Sequence, residues 1–123
     1  MDALPLRGRA ILVAEDEPLI ALELADLLEE AGAKVISART VQRALQVAQR
    51  PALSAAVLDY RLADGDALLL CEQLRARNVP VLIYTGSDPG DLMLPDACIL
   101  AKPAGRDRIL AALTALVRTR DAA

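Results

Sequence analysis

Residues 10–32 read AILVAEDEPLIALELADLLEEAG, and this stretch decides the fold. Ala10 to Ala14 is an apolar run of strand length, and Glu15 and Asp16 close it with acid. Glu17 and Pro18 then open a segment that carries Ile20, Leu24, Leu27, Leu28 and Ala31 on one face. That spacing is helical. Proline suits the first turn because the N–H it lacks would have no intrahelical partner there, and Gly32 closes the segment. A strand that runs through a tight turn into an amphipathic helix is half of a parallel βαβ unit.

The same alternation continues to the end of the chain. Further apolar runs lie at Lys34 to Ser37, Ala55 to Leu58, Val79 to Tyr84 and Ala97 to Ala101. Thr40 is placed to cap a second helix bearing Val41, Ala44, Leu45 and Ala48, which Pro51 ends. A third helix is expected from about Asp66 to Arg77 with Leu70 and Leu74 inward. The last, Arg106 to about Thr119, carries Ile109, Leu110, Leu113, Leu116 and Val117 at helical spacing, and Arg118 and Arg120 suit the negative end of its dipole. Between Asp88 and Asp96 the residues Pro89, Gly90 and Pro95 leave room for a turn or two only, so the fourth helix is expected to be short or degenerate. The pattern predicts an α/β doubly wound parallel sheet of (βα)5 type.

Composition narrows the function classes. The chain has 123 residues, 54% of them hydrophobic, which is enough for one domain with a sizeable core. A single domain over 1–123 is expected, its core at about 9–119, with no linker and no output domain. Fourteen basic against seventeen acidic residues leave a net charge of −3, so nothing is in excess to neutralise nucleic acid or an anionic membrane. Histidine is absent. That removes the usual general base and zinc ligand, and any phosphohistidine must belong to a partner. Cys71 and Cys98 have no metal-knuckle or disulfide spacing and read as small buried hydrophobes. No signal-peptide pattern and no membrane-length apolar run occur, which predicts a cytoplasmic protein.

At the ends of four of the five runs stand polar residues that a core would not select: Glu15 and Asp16, Asp59, Thr85, and Lys102. In open parallel sheets, ligands bind beyond the carboxyl ends of the strands where strand order reverses. The flavodoxin-like order 2-1-3-4-5 makes the first and third strands neighbours, which gathers Glu15, Asp16 and Asp59 and puts Thr85 and Lys102 on the other side. Three clustered carboxylates repel one another unless a cation sits among them, and hard oxygen ligands point to Mg²⁺ or Mn²⁺. Lys102 and the Thr85 hydroxyl supply what a phosphoryl oxygen needs. The set suits phosphoryl transfer to the carboxylate of Asp59.

ILVAEDEP, VLDYRLADGD, IYTG and LAKP stand in this order, each closing an apolar run, and together they resemble the receiver domain of two-component response regulators. The resemblance covers almost the whole chain. It implies Asp59 as phospho-acceptor and Asp16 and Asp59 as direct Mg²⁺ ligands. Glu15 helps position the ion through water, and the main-chain carbonyl of Arg61 supplies a further ligand. It also implies a cis peptide between Lys102 and Pro103, a sensor histidine kinase or histidine phosphotransfer protein as donor, a downstream protein target, and homodimerisation as an option. Such a domain is not an enzyme in the ordinary sense: it catalyses only its own phosphorylation and dephosphorylation.

Three departures bear on output. Ile99 stands where most receivers carry the Tyr or Phe of an aromatic switch, Gly86 follows Thr85 in place of Ala, and Thr85 and Lys102 are close in sequence. The Thr-Gly pair is similar to an atypical Phe-Ala-Thr-Gly subgroup, with Ile83 and Tyr84 in place of its first two letters. Tyr84 itself should point away from the site by strand alternation, which favours core or edge packing, with a substitute switch role as the alternative. Arg61 and Asp64, in the loop after the acceptor, divide between solvated surface and partner contact. A phosphorylation-independent pseudo-receiver that binds partners is the main alternative. An FMN site would be repelled by EDEP after the first strand, and a phosphatase of the haloacid-dehalogenase type would need Asp where Arg61 stands.

Overall fold

A computed structural model of the chain describes residues 4–86 and 98–122. Strand β1 (Ala10–Ala14) leads into helix α1 (Pro18–Glu30), followed by β2 (Lys34–Ala38), α2 (Val41–Val47) and β3 (Leu53–Leu58). Two short strands, β4 (Arg61–Leu62) and β5 (Gly65–Asp66), pair antiparallel as a hairpin before α3 (Leu68–Ala76). Strands β6 (Val81–Thr85) and β7 (Cys98–Ala101) and helix α4 (Arg106–Ala122) complete the chain.

The five long strands form one parallel sheet in the order β2-β1-β3-β6-β7. With the hairpin set aside, this is the expected flavodoxin-like order. Every residue of β3 is buried, as a central strand covered on both faces requires. Alternate residues of each strand feed two cores. One holds Leu12, Leu58, Ile83 and the inward faces of α2 and α3. The other holds Ile11, Val13, Leu82 and Tyr84 with Leu24, Leu27 and Leu28 of α1 and Ile109, Leu113 and Val117 of α4.

Several boundaries shift. β3 begins at Leu53 and β6 at Val81, where ladder pairing rather than apolar content sets the limits. Thr40 caps α2 as expected, its hydroxyl accepting from the Arg43 N–H at 3.1 Å, but the helix ends at Val47, ahead of Pro51. α3 spans Leu68–Ala76, not Asp66 to Arg77, because Gly65 and Asp66 are drawn into the hairpin. α4 runs on to Ala122. There Arg120 does more than complement a dipole: its guanidinium donates to the carbonyls of Leu53 and Ser54 at 3.2 and 3.1 Å, tying the helix end to the start of β3. The expectation for the Asp88 to Asp96 segment lies outside the described residues. Among the described residues, no helix is long and apolar enough to cross a membrane.

Gly32 follows α1 at φ +98°, and a Cβ there would meet the Cα of Arg7 at 2.8 Å. Only glycine fits both the backbone angle and the close approach of the N-terminal segment. Cys71 is buried in the first core, and burial pushes its thiol up to about 11, which makes it unreactive packing; Cys98 is half-buried.

Candidate functional site

The site is built by extending the sheet ladder one residue past its strands. Main-chain N–H groups just beyond or next to the strand ends donate to neighbouring strands: Glu15 to the carbonyl of Ala38, Asp59 to that of Ala14, and Lys102 to that of Thr85, at 3.0, 2.9 and 2.9 Å. These bonds set the polar residues side by side along one edge. Hydrophobic strands fix the backbone, and the first residues freed from the core point their side chains into the crevice.

The Asp59 carboxylate is held from two sides. Its Oδ1 accepts from the Thr85 hydroxyl at 3.0 Å, and its Oδ2 accepts from Lys102 Nζ at 3.0 Å. Lys102 Nζ also donates to both oxygens of Glu15, at 2.9 and 3.1 Å. Carboxylate oxygens of Glu15, Asp16 and Asp59 lie within 4.8 Å of one another. The ammonium thus stands among the acidic groups and not across the crevice from them, which corrects the expectation that it faces only the opposite side. A short cation is what the cluster needs, and the chain's own lysine is close enough to provide part of the charge.

Electrostatics follow from this crowding. Glu15 is 2% exposed, and burial raises its carboxyl to about 7; the Lys102 hydrogen bond opposes the shift and the charge of Asp59 adds to it. For Lys102, burial pulls downward, but hydrogen bonds and charge from Glu15 and Asp59 overcome it and hold the ammonium above its ordinary value. The pocket therefore keeps its cation and leaves a carboxyl that is only partly ionised at neutral pH. An all-oxygen acidic donor set with unspent charge is the chemistry of a hard divalent cation site.

All five expected residues, Glu15, Asp16, Asp59, Thr85 and Lys102, come together here. Arg61 is adjacent through its backbone: its N–H approaches Asp59 Oδ1 at 3.4 Å, while its exposed side chain lies 5.9 Å from the Tyr60 ring centroid. The Lys102–Pro103 peptide is cis. Ile99 is half-buried against the first core. Asp64 has local partners: its exposed carboxylate accepts from the N–H groups of Val41 and Gln42 at 2.7 and 3.1 Å, and these two bonds hold it below its ordinary value. It clips the β4–β5 hairpin to the start of α2. Tyr84 is packed in the second core as expected, and its hydroxyl accepts from the Ala104 N–H at 3.1 Å, a partner that the sequence reading did not supply. The tyrosine beside Thr85 was a signal, but nothing local showed where its hydroxyl goes.

A doubly wound parallel sheet that gathers three carboxylates and a lysine at its carboxyl edge defines the class as a flavodoxin-like α/β domain. The sequence matches the family model of the response regulator receiver domain over residues 11–114, and the chain belongs to that family. It is 43% identical over 81 residues to the phyllosphere-induced regulator PhyR of Methylorubrum extorquens, covering 61% of this chain and 30% of PhyR. It is 31% identical over 114 residues to the photosynthetic apparatus regulatory protein RegA of Rhodobacter capsulatus, covering 87% of this chain and 62% of RegA. The solution structure of SdrG from Sphingomonas melonis Fr1 superposes with a TM-score of 0.77 at 35% identity, covering 95% of this chain and 99% of that one. The chain thus spans less than two thirds of the two regulators.

Proposed function

We propose that this receiver accepts a phosphoryl group on Asp59 from the phosphohistidine of a sensor kinase or phosphotransfer protein, and that the modified domain signals by docking to a protein target. The observation that carries this reading is the dual grip on Asp59, by Thr85 on one oxygen and Lys102 on the other. Asp59, only partly buried at the end of β3, thus meets a hydroxyl on one oxygen and a cation on the other, the two kinds of donor that phosphoryl oxygens require.

Glu15, Asp16, Asp59 and the main-chain carbonyl of Arg61 are the groups that would hold Mg²⁺ or Mn²⁺. When bound, such an ion neutralises phosphoryl oxygens as charge moves during transfer. The chain's own residues do the rest. An Asp59 oxygen attacks phosphorus, the new O–P bond forms as the donor's N–P bond breaks, and the imidazole leaves with the electron pair and takes up a proton. A carboxylate is a weak nucleophile, so the rate comes from position and charge. Lys102 and Thr85 steady the phosphoryl oxygens, and attack by water on phosphorus returns Asp59 to its free state. Ile99 supplies no ring, so the output does not pass through the aromatic switch common in the family.

Intact-mass spectrometry with acetyl phosphate tests this. One phosphoryl adduct is expected in the presence of Mg²⁺ and none with EDTA or in Asp59→Asn. An adduct that persists in Asp59→Asn overturns the acceptor assignment, and no adduct under any donor favours the phosphorylation-independent module.

A further inference from the structure

Thr85 and Tyr84 are consecutive residues of β6 that face opposite sides of the sheet, yet both are tied to the pocket. Thr85 reaches Asp59 directly. Tyr84 is 7% exposed in the second core, and its ring centroid lies 5.7 Å from Lys102 Nζ. Its hydroxyl accepts from the N–H of Ala104, two residues past that lysine. One side chain therefore contacts the lysine's charge through its ring and the lysine's loop through its oxygen.

The other edge of the ring meets the helices. Tyr84 borders a cavity of about 50 Å³ lined by Leu24 and Leu27 of α1 and by Ala104, Arg106 and Ile109 around the start of α4. An unfilled space beside a core aromatic lets the ring shift without overpacking its neighbours.

We propose that Tyr84 is the positioning residue for Lys102 and carries the state of the pocket to the α1–α4 face. In the structure the ammonium is shared among Glu15, Asp59 and the ring face. When a phosphoryl group and a divalent cation enter, the carboxylates gain new partners and Lys102 moves toward the phosphoryl oxygens. The ring loses part of its cation contact, the Ala104 bond is redirected, and Tyr84 repacks into the adjacent cavity between α1 and α4. The element that answers the missing ring at Ile99 is thus on a different strand and acts on α1 and α4. This inference rests on the proposed phosphoryl chemistry of the same pocket.

The composition supplies the probe. The chain has no Trp and only two tyrosines, Tyr60 and Tyr84, so Tyr60→Phe leaves Tyr84 as the sole emitter. Titrating Tyr60→Phe with Mg²⁺ and then beryllium fluoride, a phosphoryl mimic, is expected to give a saturable change in Tyr84 emission. Calorimetry on the same variant is expected to detect both ions binding. In the wild-type background, Tyr84→Leu should slow acyl-phosphate formation from acetyl phosphate on the order of tenfold with little change in Mg²⁺ affinity, and Tyr84→Phe, which keeps the ring, should recover part of it. Calorimetric binding of both ions with Tyr84 emission unchanged overturns the coupling and leaves the phosphoryl reading intact. Calorimetry that finds neither ion bound overturns the phosphoryl reading, and the coupling falls with it.

Discussion

Lys102 Nζ lies 2.9 Å from Oε1 of Glu15, a bond that joins the ends of β7 and β1 across the two strands between them. Residues 87 apart in sequence thereby share one proton-rich contact at the crevice. The same ammonium reaches Asp59, so the lysine competes for the carboxylates that a divalent cation would use.

That competition gives opposite signs for two readouts of one variant. Lys102→Ala removes a positive charge from between the acids, so Mg²⁺ should bind more tightly at pH 8, by isothermal titration. Acyl-phosphate formation should nevertheless fall on the order of 100-fold, because a charge aimed at the transferring group is lost. Weaker Mg²⁺ binding in the variant would show that Lys102 supports the ion instead of opposing it.

Glu15 makes metal-free stability depend on pH. Its folded carboxyl lies at about 7 against an ordinary 4.5, so between these values the folded protein keeps a proton that the unfolded chain has released. Stability contributed by this group is complete at low pH and is lost as pH rises through the folded value. Urea unfolding at pH 5, 6, 7 and 8 should show the decline. Saturating Mg²⁺ should flatten it, because the ion binds only the ionised form in the folded state. Asp64, held low by backbone bonds, acts with the opposite sign: its contribution is present above its ordinary value of 3.8 and is lost as pH falls below it. The two windows do not coincide.

Asp64→Ala should lower the melting temperature and loosen the hairpin. Two N–H groups at the start of α2 lose their acceptor, and Thr40 alone cannot satisfy both. Hydrogen exchange should rise at Val41 and Gln42 and along β4–β5. Unchanged protection there would reduce Asp64 to a surface residue.

Gly32→Ala should destabilise the domain by about 1–3 kcal/mol, since a left-handed backbone is strained for alanine and the methyl group collides with the main chain of Arg7. Thermal unfolding measures it, with Gly86→Ala as the comparison: among the described residues, a Cβ there meets nothing within 4 Å.

The parallel order and the five pocket residues were legible because each depends on local pattern. Apolar runs mark strands, and a polar residue at a run's end marks the sheet edge where ligands bind. Boundaries were less legible. Gly65 and Asp66 look like the approach to α3, but Arg61 and Leu62 offer them a pairing partner and draw them into β5. Asp64 carried equal weight for surface and function because its acceptors' partners, Val41 and Gln42, lie more than twenty positions away.

By itself, the sequence determined which residues are freed from the core at the carboxyl edge, since hydrophobic periodicity and chain direction decide that one strand at a time. Tertiary structure alone decided how those residues share charge. Whether Lys102 stands opposite the acids or among them, and whether Tyr84 is inert packing or a contact to the lysine's loop, depends on distances between strands that are not neighbours in sequence. Coulomb energy and hydrogen bonding vary steeply over those few ångströms, and no spacing along the chain encodes them.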